Sequence, residues 1–370
     1  MKKTVRSGRG LLWSALRSER SPLQLVVVAV ALFGVFTALD PTVFPSVSDL
    51  QAMGFQLPAE ALLGLAVMFS MVMGGIDLSV VAIADLSGVV AVSFFGAVHS
   101  SSWLTMVAGG LLALLVGVSA GAINGFLIGG IGVTAILATL CTSDIFSGLA
   151  TGLTKGVALL TVPAGLLTLG DGLVGGVPVA MIVFLVLAVV SGFLLSRTAT
   201  GFRLRLSGAN PKAAELSGID QFRAQMVTYI VSGALSAVAG MIFVALEDSA
   251  TPDYGQSYLL LAVLVSVFGG TALTGGFASA SGTILAAVAL VMLSTGTVLL
   301  HMNQYLYEAL EGALVIAVMV GRQELQGIGG SGGEREGLVD VIEGVGDVGG
   351  RTGATVSSRE GVGHGRSTVE

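Results

Sequence analysis

Apolar residues run along this chain in stretches long enough to cross a membrane, and charged residues are confined to the gaps between them. No Asp, Glu, Lys or Arg occurs in 21–39, 86–143, 172–196, 224–246 or 254–307. The second run holds 58 residues and the last 54. A helical span takes about 20 apolar residues, so each has room for two spans and part of a third. The runs are apolar on all sides, where a β-barrel strand would alternate polar and apolar positions, so the pattern predicts helices. Spans are expected at 23–39, 58–74, 80–98, 103–128, 131–153, 174–195, 222–246, 257–275, 277–300 and 304–320. The fold class expected is therefore an all-α polytopic membrane protein with about ten transmembrane helices.

Composition closes the alternatives. Hydrophobic residues make up 54% of the 370 positions, glycine adds 54 more, charged residues are only 11%, and mean hydropathy is +0.91. A soluble globular domain carries about 25% charged residues, so a water-soluble enzyme and a disordered chain are both excluded. Cys141 is the single cysteine, which rules out an intrachain disulfide.

Charge sets the expected orientation. The first 21 residues carry Lys2, Lys3, Arg6, Arg9, Arg17 and Arg20. The apolar run that follows has no small-residue cleavage site and continues into DPTVFP, so it reads as a retained first span. With that basic end inside, segment 196–221 is also inside and holds Arg197, Arg203, Arg205 and Lys212, while the outside loops hold Lys155 alone. Both termini are then expected in the cytoplasm. Residues 321–370 turn Gly-, Ser- and acid-rich without helical period, and are expected to be a disordered cytoplasmic tail.

Several chemistries lack their residues. GLATGLTK, 148–155, lacks the adjacent Gly-Lys-Ser/Thr of a phosphate loop. There is no GxSxG and no HExxH, and His99, His301 and His364 stand apart. No catalytic residue, resident cofactor or metal site is expected.

Three features rise above the apolar background. In MVMGGIDLSVVAIADLSGVV, 71–90, Gly74 and Gly75 interrupt a helix and Asp77 follows. Asp77 either caps the next helix by accepting N–H bonds from Ser79 or Val80, or marks a broken helix lining a polar cavity. Asp85, eight residues on, is an intramembrane carboxylate that either faces a pathway or is satisfied by Ser87 or Thr139. Glu308 and Glu311 share a face of the last span, and Asp144 stands alone in the fifth. The third feature is the inside loop. Asn210 and Pro211 read as N-cap and first position of a short helix, and Gly218 ends it. Such a helix is either a solvated connector or a lever for a soluble motor.

GGIDLSVVAIADLSGVV resembles the GGIDLSVG…ALSG signature of the ribose-type sugar permeases of ABC importers, within the branched-chain amino acid/sugar permease superfamily. GAINGFLIGGIGVTAILATLCTSDIFSGLATGLTKG, GANPKAAELSGI and GGTALTGGFASASGTILAA follow in the same order. The resemblance covers about 22–320, taken as the permease domain with a coupling loop at about 196–222. It departs from the pattern at Val81, Asp85, Phe277, Ala278 and Glu311.

The resemblance implies a second permease subunit, in a homodimer or related heterodimer, a cytoplasmic ABC ATPase that uses ATP and Mg, and an extracytoplasmic substrate-binding protein. It implies the bacterial cytoplasmic membrane as location and a monosaccharide or related polyol as cargo, moved by alternating access. Asn210, Pro211, Ala213, Ala214, Glu215, Leu216, Ser217, Gly218 and Ile219 match the ATPase-contacting segment, and Gly74, Gly75, Asp77 and Ser79 the signature. By chemistry alone, Asp85, Ser93, Asn124, Thr134, Thr139, Thr142, Glu308 and Glu311 are candidates for a polar path. A branched-chain amino acid permease and an ion-coupled transporter using Asp77 or Asp85 are the alternatives.

Overall fold

A computed structural model describes residues 20–317 apart from 101, 304 and 308. The basic N-terminal residues before 20, Glu308 and the 321–370 tail fall outside it. The helices are α1 (Arg20–Leu39), α2 (Val47–Val72), α3 (Val80–Val98), α4 (Trp103–Phe126), α5 (Ala135–Thr154), α6 (Ala164–Asp171), α7 (Val179–Arg197), α8 (Ala199–Ala209), α9 (Pro211–Leu216), α10 (Gln221–Glu247), α11 (Tyr258–Phe268) and α12 (Ala280–Leu299). A further helical stretch begins at 305. Among the described residues, eight helices are long and apolar enough to cross a membrane.

α2 is the hub. From Ala61 to Val72 it is apolar but for Ser70, and a segment of that kind is stable only when enclosed. Leu62, Leu63, Leu65, Ala66, Val67, Met68 and Phe69 are wholly buried, and α7, α10, α11 and α12 pack around it. α1 lies outermost: Leu23, Val27 and Val30 are exposed, and its Phe36 ring packs where Gly296 of α12 leaves room.

The most extensive helix pairing is α4 on α10. Gly117, Gly121 and Gly125 repeat every fourth residue and so form one stripe on α4. A Cβ on Gly121 would lie 2.1 Å from the Tyr229 carbonyl oxygen, and one on Gly117 would lie 2.4 Å from that of Gly233. Within lipid, helices gain little from apolar burial, and small residues that let backbones approach carry the association instead.

The structure corrects four boundaries. α2 starts at Val47, not near 58, so much of the expected outer loop 40–57 is helix. Ser46 caps it by accepting from the Asp49 N–H at 3.2 Å, and Pro58 lies inside it. The 154–173 segment, read as loop, contains α6, followed by a two-stranded antiparallel ribbon, β1 (Leu173–Val174) and β2 (Val177–Pro178). The inside loop holds two helices rather than one, since Thr198 caps α8 ahead of α9. The span expected over 257–275 stops at Phe268. Gly270 has φ +93°, a left-handed conformation that ends helices, and Gly269 sits against the first turn of α12 too closely for a Cβ.

Candidate functional site

The break between α2 and α3 gathers a closed polar network. Gly74 at φ +81° turns the chain out of α2, and residues 75–79 run without helical structure until α3 starts at Val80. Asp77 and Ser79 on this segment are wholly buried. Asp77 Oδ1 accepts from the Ser79 N–H at 3.0 Å and from the Ser79 hydroxyl at 2.6 Å. Oδ2 accepts from the Ser232 hydroxyl of α10 at 2.8 Å. The Asp77 N–H donates to Ser70 Oγ at 3.0 Å, and Ser70 donates to the Val67 carbonyl at 2.8 Å.

The network extends into two more helices. Asn124 of α4 donates from Nδ2 to Ser79 Oγ at 2.7 Å, and its Oδ1 accepts from the Thr142 hydroxyl of α5 at 2.7 Å. The donors therefore point one way, from Thr142 through Asn124 and Ser79 to Asp77. Thr139 lies beside this chain. Its hydroxyl accepts from the Leu78 N–H at 3.1 Å and donates to the Ala135 carbonyl at 2.8 Å. Buried polar groups of this kind are costly unless satisfied, and a satisfied network fixes the helices that contribute to it. Here it ties α2, α3, α4, α5 and α10 to one broken segment. Asp77 thus both holds the start of α3, through Ser79, and joins it to α10. The Tyr229 hydroxyl, next to Gly75, is buried with no bonding partner among the described residues.

A second contact connects the inside loop to the same break. The C-terminal carbonyls of a helix have no intrahelical partners. At the end of α2 the Val72 carbonyl accepts from the Gly276 N–H at 2.8 Å. Gly208, near the end of α8, abuts that carbonyl: a Cβ there would lie 1.8 Å from Val72 O and 2.7 Å from Gly276 N. A Cβ on Gly275 would lie 2.8 Å from Gly74 N and 2.9 Å from Gly208 O. Three glycine-bearing segments, 72–75, 208–209 and 274–276, therefore meet backbone to backbone. Gly275 and Gly276 both hold φ +83°, a region that costs side-chain-bearing residues. Arg205 adds a long bond of 3.4 Å to the Ala278 carbonyl.

α9 follows at once. Asn210 accepts from the Ala213 N–H at 3.0 Å, Pro211 is the first helical residue, and Gly218 at φ +80° lies just beyond the C-cap Ser217. The Ile219 N–H returns to the Ala214 carbonyl at 3.0 Å. Ala214 is buried, Glu215 is exposed, and Leu216 is 91% exposed. An apolar side chain so placed on a short helix is a contact surface without a partner among the described residues.

The remaining path candidates do not converge. Asp85 is buried on α3 and accepts from the Gly255 N–H, at 3.1 Å to Oδ1 and 3.2 Å to Oδ2. Neither Ser87 nor Thr139, the partners expected for it, serves: the Ser87 hydroxyl has no partner among the described residues, and Thr139 bonds elsewhere. Ser93 is half-buried further along α3. Thr134 is exposed at the start of α5. Glu311 lines a cavity of about 770 Å³ away from the network. The candidates thus divide into a buried network, the Asp85 contact and the cavity.

Sequence reasoning missed Ser70, Ser232, Gly208 and Gln56 with Glu60 of the cavity. A lone serine in an apolar run carries no signal of its partner. Gly208 is distinguished only by its neighbours in space. Gln56 falls in a stretch that reads as loop, and Glu60 sits at the start of the expected span 58–74.

α5 carries one further feature. Thr134, Cys141, Asp144, Gly148, Thr151 and Lys155 are all exposed and recur at seven-, three- and four-residue spacing, one stripe of the helix. Among the described residues, nothing beyond α5's own backbone lies within 4 Å of a Cβ built on Gly148 or Gly152.

Comparison with known proteins agrees with this architecture. The family described as "Branched-chain amino acid transport system / permease component" matches residues 53–319. The ribose import permease protein RbsC of Haemophilus influenzae is 30% identical over 309 residues, covering 82% of this chain and 92% of its own. RbsC of Bacillus subtilis is 32% identical over 272 residues, 73% of this chain and 83% of its own. The D-allose transport system permease protein AlsC of Escherichia coli is 28% identical, covering 80% and 88%. A solved ABC transporter described as of metal-chelate type, in an inward-facing conformation, shares the fold at a TM-score of 0.50 and 16% identity, over 82% of this chain and 99% of its own. The chain belongs to the branched-chain amino acid transport system permease family, whose relatives named here are sugar permeases of ABC importers, and is a multi-pass protein of the bacterial cytoplasmic membrane.

Proposed function

We propose that this chain is the translocating subunit of an ATP-driven importer for a monosaccharide or related polyol. The cargo class is carried by the relatives, which are named for ribose, allose and arabinose. The mechanical part is carried by one observation, the glycine contact that joins the inside loop to the broken helix. A force on α9 passes through α8 and Gly208 to Val72, and from there to the segment that holds Asp77. With no phosphate loop in the sequence, the force has to come from another protein, and exposed Leu216 and Glu215 give that protein a surface.

On this reading the partner is an ABC ATPase that binds ATP and Mg, and a substrate-binding protein delivers cargo outside. The basic N-terminus and the inside loop lie in the cytoplasm, as does the tail after 320. The translocation path lies between two permease subunits, and the exposed polar stripe of α5 supports this. Asp144, exposed midway along α5, is poorly suited to lipid and well suited to a wet path. Switching between inward- and outward-open states rearranges the break at 73–79, where the buried Tyr229 hydroxyl gains a partner in the other state. The family's own description favours a second reading, with a branched-chain amino acid as cargo. The binding protein's selectivity separates the two.

The test is a coupling variant. In the purified complex reconstituted into proteoliposomes, Glu215→Lys with Leu216→Asp is expected to lower ATP-driven uptake by about tenfold or more, while the protein inserts normally. Both side chains are exposed, and surface substitutions of this kind usually change stability by no more than about 0.5 kcal/mol. Unchanged uptake would remove α9 from the drive.

A further inference from the structure

The 770 Å³ cavity is not part of the polar network. It lies between α2, α11, α12 and the helical stretch that begins at 305, and its lining includes Gln56, Glu60, Tyr254, Tyr258, Tyr307 and Glu311. Gln56 and Glu60 fall midway along the 26 residues of α2. The size is that of a small-molecule site, which typically measures about 300–1,000 Å³.

The lining has a definite chemistry. Glu60 is 4% exposed and accepts from Gln56 Nε2 at 2.8 Å through Oε1. A carboxylate at mid-span faces a cavity or a partner by default, and this one does line the cavity. No Lys, Arg or His is among the described residues of the lining. The aromatic wall is prepacked. Tyr254 and Tyr258 have ring centroids 5.9 Å apart, and both pack on Phe243, at 5.2 Å and 4.9 Å.

The Tyr254 hydroxyl is already engaged: it donates to Glu247 Oε1 at 2.6 Å. A polyol needs many hydroxyls and amides to replace its water, and here the Tyr254 hydroxyl and the Gln56 amide already serve Glu247 and Glu60. What the wall offers is ring surface beside a buried carboxylate. That combination recognises a cation whose charge is spread over alkyl groups, since such ions lose little hydration and are attracted to aromatic faces.

We propose that this cavity is a binding site for an organic ammonium ion, with Glu60 as its counter-ion and Tyr254 and Tyr258 as its aromatic wall. It is separate from the sugar path and does not depend on the cargo assignment.

The test uses the full-length permease in its native complex, in nanodiscs, with choline as probe and 3,3-dimethylbutanol, its uncharged counterpart of the same shape, as control. Isothermal titration is expected to show saturable choline binding at least tenfold tighter than that of the neutral control. Glu60→Gln is expected to weaken choline at least tenfold, and Asp144→Asn on exposed α5 to leave it unchanged. Absence of saturable choline binding would overturn the proposal, as would equal binding of choline and the neutral control, or preferential binding of ribitol. The wild-type comparison stands even if Glu60→Gln fails to fold; a folded Glu60→Gln that binds choline normally would also overturn it.

Discussion

Asp77→Ala is expected to destabilise the protein by roughly 3–5 kcal/mol and to abolish transport. The substitution removes the acceptor for the Ser79 N–H, the Ser79 hydroxyl and the Ser232 hydroxyl. Each buried donor left without a partner costs about 1–3 kcal/mol, and the costs are not additive for neighbours. Water cannot readily replace the carboxylate, because Asp77 and both serines are wholly buried. Asp77→Asn separates shape from charge. It keeps one acceptor for Ser79 and offers its amide to Ser232, whose hydroxyl can turn to accept. About 1–2 kcal/mol is expected for this milder change, in the range of single rearranged hydrogen bonds. Thermal unfolding of the purified complex measures both. Equal loss in the two variants would show that the carboxyl's charge, rather than its two acceptor positions, holds the break together.

The second large effect is expected at Gly208. Gly208→Val places a branched side chain where a single Cβ already comes within 1.8 Å of the Val72 carbonyl oxygen. Both sides of that contact are backbone, so no rotamer change relieves it. The Val72 carbonyl then has to move, and its bond to the Gly276 N–H, 2.8 Å long, is lost with it. Overpacking of this sort typically costs about 1–3 kcal/mol and sometimes more. The consequence for function exceeds that figure. Uptake is expected to fall at least tenfold in membranes containing normal amounts of inserted protein. Gly192→Val on α7 is the control, since among the described residues a Cβ there has only Ala280 Cβ for a neighbour, at 3.7 Å. Normal uptake in Gly208→Val would break the mechanical link from the inside loop to the α2–α3 break.

Much of this was legible in the residues, and the exceptions have physical causes. The apolar runs locate the long helices because nothing else accommodates such runs. Asp77, Ser79, Asn124, Thr139 and Thr142 stand out because polar groups are scarce between residues 61 and 143. Their mutual contact is invisible, since it depends on how α4 and α5 are rotated against the break. The start of α2 was hidden for the opposite reason. Asp49, Gln51 and Gln56 make 40–57 look like a loop, and Pro58 looks like the start of the span, yet the helix runs through all of them and the bundle encloses Glu60. Tertiary packing overrode local propensity there. The early end of α11 came from Gly270, whose positive φ no hydropathy pattern reveals. The glycine stripe at 117, 121 and 125 could have been read from its four-residue spacing. Its partner helix could not.

Affinity purification from native membranes in mild detergent, with and without trapped ATP and read by mass spectrometry, distinguishes an importer subunit from a protein that transports by itself. Recovery of an ABC ATPase and a substrate-binding protein with the permease is the expected result, and that binding protein can then be titrated with pentoses, hexoses and branched-chain amino acids. A permease recovered alone under both conditions would contradict the ATP-driven reading and leave an ion-coupled transporter, using Asp77 or Asp85, as the better account.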